Sequence, residues 1–157
     1  MGRTQLRSFW ALCFSLVCGS SFILCSQKLP PFPGFVASKQ KQIVHLFATW
    51  CQPCMRELPV FDTLREQYTS QELELVFICM DLKNTRKLGR LLSQKKLPGN
   101  VFYLSPNDAS VSKIGMHWSG TLPTSIYFPE NMGSAELIEG VKSSSFYQLK
   151  ISEAKTD

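Results

Sequence analysis

Apolar positions along the chain switch between two rhythms. Ile43-Val44-His45-Leu46-Phe47 is a short apolar, β-branched run, the pattern of a buried strand. Just after it, Leu58, Phe61 and Leu64 recur every three residues, which predicts a helix continuing to about Tyr68. Pro59 lies inside that helix and is expected to kink it, because it cannot donate to the carbonyl four residues back. Leu73 to Met80 is nearly all apolar after Glu74, as in a central parallel strand covered on both faces. Asn84 to Lys96 places Leu88, Leu91 and Leu92 on one side of a helix, and Pro98-Gly99 ends it. Val101 to Leu104 predicts a short strand, 105–108 a turn, and Ser110 to His117 a short helix turning Val111 and Ile114 inward. The stretch 120–128 ends as a strand with Pro123 at its entry. A turn at 129–134, a strand at Ala135 to Glu139 and a helix at Ser143 to Ile151 complete the chain. Strand–helix alternation followed by a late strand pair predicts an α/β fold: a mixed central sheet flanked by helices, in one domain over 35–157.

The first 34 residues stand apart from this pattern. Arg3 and Arg7 precede an apolar stretch from Phe9 to Leu24, and no charge falls between Arg7 and Lys28. Residues 1–26 therefore read as an export signal or a membrane or lipid anchor. Cleavage after Ser21 or Ser26, lipidation at Cys25 and an uncleaved anchor all remain open, and all place the domain outside the cytoplasm. Residues 27–34 hold Pro30, Pro31, Pro33 and Gly34 and read as a stiff tether.

Composition adds two exclusions. The chain has 157 residues and a net charge of +5. Removing residues 1–26 takes away two arginines and no acid, leaving +3, too little to argue for nucleic acid. The cluster Arg86, Lys87, Arg90, Lys95 and Lys96 is read as the solvated side of a helix. Of six cysteines, Cys13, Cys18 and Cys25 lie in the leader, and Cys79 sits in an apolar strand as a small buried hydrophobe. Only Cys51 and Cys54 form a spaced pair, which is half a zinc site at best and no disulfide framework.

That pair carries the chemistry. Trp50-Cys51-Gln52-Pro53-Cys54 falls at the junction of the first strand and the first helix. Residues three apart on a helix share a face, which brings the two Cα atoms within the roughly 4.4–6.8 Å a disulfide tolerates. Cys51 also stands at the positive end of the helix dipole, where unpaired N–H groups favour a thiolate. Pro53 suits an early helical position, since its missing N–H would have no partner there. These residues predict thiol–disulfide exchange.

Phe47-Ala48-Thr49-Trp50-Cys51-Gln52-Pro53-Cys54, followed by Glu57 and Pro59, together with Gly120-Thr121-Leu122-Pro123-Thr124 before an apolar strand, resembles the thioredoxin superfamily. The nearer likeness is to its exported TlpA/ResA-like thiol–disulfide oxidoreductases, over roughly residues 36–151. The resemblance implies a thioredoxin-like fold, with Cys51 as the exposed attacking cysteine and Cys54 as the buried resolving one. It implies that Pro123 is a cis-proline facing the disulfide and that Leu122 lends its backbone to an incoming peptide. Trp50 and Pro53 would border the same substrate groove. His45 stands where thioredoxins have a buried acid, and is read either as a packing residue or as a functional one. Asp81 is the candidate for an acid at the end of the second strand.

The function so implied is an extracytoplasmic, periplasm-type protein-disulfide reductase. Its partners are client proteins carrying disulfides or cysteines, with cytochrome c maturation as one setting, and a membrane electron donor that resets the pair. It requires no cofactor and no metal, and a monomer is expected. The alternatives are a disulfide-forming oxidase, a copper-binding thioredoxin-fold chaperone using the two cysteines and His117, and a tethered interaction module.

Overall fold

The computed structural model describes residues 40–81, 85–95, 97–104, 117–130 and 134–153. The predicted leader, tether and domain start, the turn predicted at 105–108, and the helix predicted at 110–117 up to its last residue lie outside these residues; that last residue, His117, is described and is not helical.

Five strands form one sheet: β1 (Lys41–Phe47), β2 (Leu73–Cys79), β3 (Asn100–Tyr103), β4 (Thr124–Phe128) and β5 (Glu136–Glu139). Their order is β3-β2-β1-β4-β5. β1, β2 and β3 run parallel, while β4 is antiparallel to both β1 and β5, so the sheet is mixed as expected. Parallel neighbours need a crossover, which α1 (Gln52–Gln67) supplies between β1 and β2 and α2 (Thr85–Gln94) between β2 and β3. A third helix, α3 (Ser144–Glu153), follows β5. Its Tyr147 ring lies 5.5 Å from that of Phe61 in α1.

The period-two geometry of a strand divides the core in two. Ile43 and Phe47 of β1 and Leu75, Phe77 and Cys79 of β2 join a cluster with Leu58, Phe61 and Leu64 of α1, Leu88 of α2, and Tyr147 and Ile151 of α3. Val44 and Leu46, Val76 and Ile78, Leu104 and Ile126 form a second cluster on the other face. The near-continuous apolar runs of β1 and β2 follow from this: both faces are covered.

Several boundaries differ from the sequence reading by a residue or two. One such difference is at β1, which starts at Lys41 and not at Ile43. Lys41 and Gln42 are buried because distant groups satisfy them. Lys41 Nζ donates to the Ile151 carbonyl at 2.7 Å, and Gln42 Nε2 donates to Glu74 Oε2 at 2.8 Å. Helix α1 continues through Pro59, whose ring lies exposed at the helix surface. Gly99 is required where β3 begins, because a Cβ there would sit 2.0 Å from the Leu75 carbonyl oxygen.

Candidate active site

β1 ends at Phe47 and α1 begins at Gln52, so Ala48 to Cys51 form a short loop at the carboxyl end of the parallel strands. That loop is tied to its neighbour from β2. Met80 N–H donates to the Phe47 carbonyl at 2.8 Å, and Thr49 Oγ1 donates to Asp81 Oδ2. Asp81 is buried, so the acid expected at the end of the second strand serves to hold this loop.

Cys51 is the N-cap of α1, with extended backbone dihedrals of −81° and 100°. Its Sγ accepts from the Cys54 backbone N–H at 3.2 Å, a role usually taken by a Ser, Thr or Asp oxygen. Pro53 lies in the first turn, where no intrahelical partner is lost. Cys51 and Cys54 are joined as a disulfide, with S–S 2.06 Å and Cα–Cα 5.3 Å.

Exposure around the pair is uneven. Trp50 is 63% exposed, whereas Cys51 is 4% and Cys54 0% exposed. The expectation of an exposed Cys51 is therefore corrected for the disulfide form. The N-cap geometry folds its side chain back over the first turn, and the bridge to Cys54 covers the sulfur further. Cys51 retains the small accessibility of the pair, and Pro53 is half-buried.

The loop before β4 lies at the same end of the sheet. Leu46 pairs with Thr124, which sets Pro123 one step further along, beside the carboxyl end of β1. The Leu122–Pro123 peptide is cis, as the resemblance implied. Leu122 packs against the cluster that contains Cys51 and Cys54. Three anchors hold this loop: Gly140 N–H donates to the Pro123 carbonyl at 2.9 Å, Trp118 Nε1 donates to the Thr121 carbonyl at 3.1 Å, and Ser119 N–H donates to Glu139 Oε1 at 2.9 Å. The last bond, with that from Ser119 Oγ, holds the Glu139 carboxyl below its ordinary range. Gly140 has φ +77°, a left-handed conformation that suits glycine.

The thioredoxin family model matches residues 26–125, well over half of the chain. The chain belongs to the thioredoxin family. It is 24% identical over 98 residues to the thiol-disulfide oxidoreductase ResA of Oceanobacillus iheyensis, a match covering 62% of this chain and 48% of that protein. It thus spans about half the length of that curated relative. A thiol:disulfide interchange protein of the thioredoxin family from Chlorobium tepidum superposes with a TM-score of 0.66 at 19% identity, over 81% of this chain and 97% of that one. StoA from Bacillus subtilis superposes with a TM-score of 0.57 at 25% identity, over 75% of this chain and 84% of that one.

In this thioredoxin domain His45 is fully buried and lies among Phe47, Phe61 and Phe77, with its ring 4.5 Å from that of Phe61. Burial alone pushes its pKa down to about 3, so the imidazole is neutral. Its Nδ1 lies 2.9 Å from Ser125 Oγ, the residue opposite it in the β1–β4 register. The same hydroxyl lies 2.8 Å from Tyr147 OH, which donates to Glu57 Oε1 at 2.9 Å. Lys142 N–H donates to that oxygen too, also at 2.9 Å.

Glu57 was legible only as part of a motif, and its place in the site was missed. It is 1% exposed, three residues after Cys54 on the same helix face. Burial raises its carboxyl above the ordinary range, opposed by the bonds from Lys142 and Tyr147. A signal was present: Glu57 falls on the 57-61-64 stripe of α1, an acid where helical periodicity asks for an apolar residue. Among the described residues, no three His, Cys, Asp or Glu side chains gather to hold a metal ion, and His117 is exposed. Among the same residues, no helix is long and apolar enough to cross a membrane.

Proposed function

We propose that this thioredoxin-family chain is an extracytoplasmic thiol–disulfide oxidoreductase that reduces disulfides in client proteins. One observation carries the reading: Cys51 and Cys54 bridge the first turn of α1, with the Cys51 sulfur at the helix N-cap. A thiolate at that sulfur is favoured by the unpaired N–H groups of the first turn, and reclosure of the bridge needs little backbone movement.

The cycle has two attacks. In the reduced pair, Cys51 thiolate attacks one sulfur of a client disulfide. A Cys51–client bond forms, and the other client sulfur leaves as a thiolate. Cys54 then gives up its proton, and its thiolate attacks Cys51 Sγ. The Cys51–Cys54 bond forms, the mixed disulfide breaks, and the second client thiolate departs. Two electrons have passed to the client, and the client thiolates take up protons. Glu57, one helical turn from Cys54, is the carboxylate assigned to receive the Cys54 proton, and its Oε2 has no hydrogen-bond partner among the described residues. A membrane-bound electron donor then restores the dithiol.

Trp50, Pro53, Leu122 and Pro123 form the groove that receives the client, with the Leu122 backbone pairing to an extended peptide. Residues 1–26 serve as an export signal or anchor and residues 27–34 as the tether. Haem-attachment cysteines of an apocytochrome c are one fitting client class, as the resemblance to TlpA/ResA-like oxidoreductases implies. The deciding experiment is the reduction potential of the pair, together with trapping by Cys54→Ser. A reducing potential and covalent client adducts are expected. A potential near about −120 mV reverses the direction to an oxidase, and the absence of adducts refutes client exchange.

A further inference from the structure

Four side chains far apart in sequence meet in one buried hydrogen-bonded line: His45 to Ser125 at 2.9 Å, Ser125 to Tyr147 at 2.8 Å, and Tyr147 to Glu57 at 2.9 Å. Two atoms at its ends, His45 Nε2 and Glu57 Oε2, are buried and have no hydrogen-bond partner among the described residues. Proton counting gives the line a direction. Glu57 Oε1 accepts from both Lys142 N–H and Tyr147 OH, so both of its lone pairs are engaged. Tyr147 has a single hydroxyl proton and spends it there. Ser125 must then donate to Tyr147, and having also one proton, it must accept from His45. The neutral imidazole therefore carries its hydrogen on Nδ1 and leaves Nε2 bare.

We propose that His45 is a positioning residue for the proton chemistry of this site: through Ser125 and Tyr147 it fixes the donors on Glu57 Oε1 and confines the exchangeable proton of Glu57 to Oε2. The backbone N–H of Lys142 cannot reverse, and while Tyr147 OH also donates to Oε1 both lone pairs of that oxygen are engaged, so a proton arriving at the carboxyl goes to Oε2. Oε2 is then the one atom that takes up and returns a proton. Without a donor at the head of the line, the Ser125 and Tyr147 hydroxyls are free to turn, and the ionised carboxylate loses part of its support. The role in catalysis rests on the redox reading of Cys51 and Cys54; the arrangement of protons does not.

Other charged or titratable groups border the line on each element packed against it. Lys41 shares the His45 face of β1, Cys54 lies on α1, and Cys79 on β2 is pushed up to about 11 by burial. Tyr127 on β4 is pushed up to about 12, and Lys142 approaches from the loop before α3.

The test is made on the full chain. Nitrogen-15 NMR of the two histidines, with His117→Gln for assignment, is expected to show His45 as the neutral Nδ1–H tautomer. The Nε2–H tautomer or an imidazolium at neutral pH overturns the proposal. Carbon-13 titration of the Glu57 carboxyl supplies the second readout. Ser125→Ala and His45→Leu are expected to shift its midpoint upward, and His45→Gln, whose amide can donate to Ser125, to restore it. An unmoved midpoint in folded Ser125→Ala and His45→Leu proteins overturns the positioning role. The functional half is read from the pH profile of the Cys51–Cys54 potential. Its Glu57-dependent inflection should move with the same variants and be lost in Glu57→Gln. The expected tautomer and titration without any exchange between the pair and dithiothreitol would instead overturn the redox reading, and with it the catalytic role given to His45.

Discussion

On the helix-covered face of the sheet, His45, Ser125, Tyr147 and Glu57 are buried in the company of Cys51 and Cys54. On the other face, Val44, Leu46, Val76, Ile78, Leu104 and Ile126 pack together with no titratable group among them. Both faces are buried, and both are built from alternate residues of the same strands. Burial of an apolar side chain stabilises the fold wherever it occurs, by about 1.5–3 kcal/mol for a Leu or Ile. Burial of an imidazole and a carboxyl costs stability unless each polar atom finds a partner, and Nε2 and Oε2 have none among the described residues. The contrast teaches that the linked line of buried polar groups lies on the face that carries the disulfide, whereas the buried polar groups of the other face, Gln42 and Thr124, are bonded separately to Glu74 and Trp118. On the proposed function, the disulfide face is where a cycling thiol exchanges a proton.

The comparison can be tested from the largest effect downward. Cys51→Ala removes the sulfur on which exchange depends, and release of thiols from a protein disulfide should fall to background; a residual rate above about a tenth would break the assignment. On the opposite face, Leu46→Ala should cost about 2–5 kcal/mol in a denaturant melt while leaving the Cys51–Cys54 potential where it was. A shifted potential would show that the two faces are not independent.

Acid sharpens the contrast. The folded-state pKa of His45 is about 3, against an ordinary 6.5. Between those values the unfolded chain binds the extra proton and the folded chain does not. Stability is thus fully present above pH 6.5 and lost as the pH falls, by up to about 1.4 kcal/mol per pH unit. Glu57 has the opposite sign: its raised carboxyl contributes fully below 4.5, and the contribution is lost as the pH rises. The His45 slope is therefore read as the difference between the parent chain and His45→Gln, which should lose it. Equal slopes would contradict a buried neutral imidazole. The smallest effect expected is that of Trp118→Phe, which deletes the bonds to the Thr121 carbonyl and Thr124 Oγ1 and should cost about 1 kcal/mol by thermal or chemical denaturation.

Local pattern was enough for the alternation of strands and helices, the mixed sheet, the placing of Cys51 and Cys54 at a helix mouth, and the loop at Leu122 and Pro123. Each rests on neighbours along the chain: a period of two or 3.6, a Pro that suits a first turn, a three-residue spacing that closes a bridge. Other features depend on groups brought from afar. Lys41 belongs to β1 because the carbonyl of Ile151 receives its charge, 110 residues away. Cys51 is covered because its sulfur turns back on the first turn of α1. Glu57 is tolerated in the core because Tyr147 reaches it across 90 residues, and His45 because β4 sets Ser125 opposite it. The sequence by itself determined which residues could form strands and helices and which two sulfurs could exchange, since these are properties of adjacent residues. Only the tertiary structure decided which polar groups would be buried together, because a hydrogen bond between distant residues exists only once packing has fixed both ends.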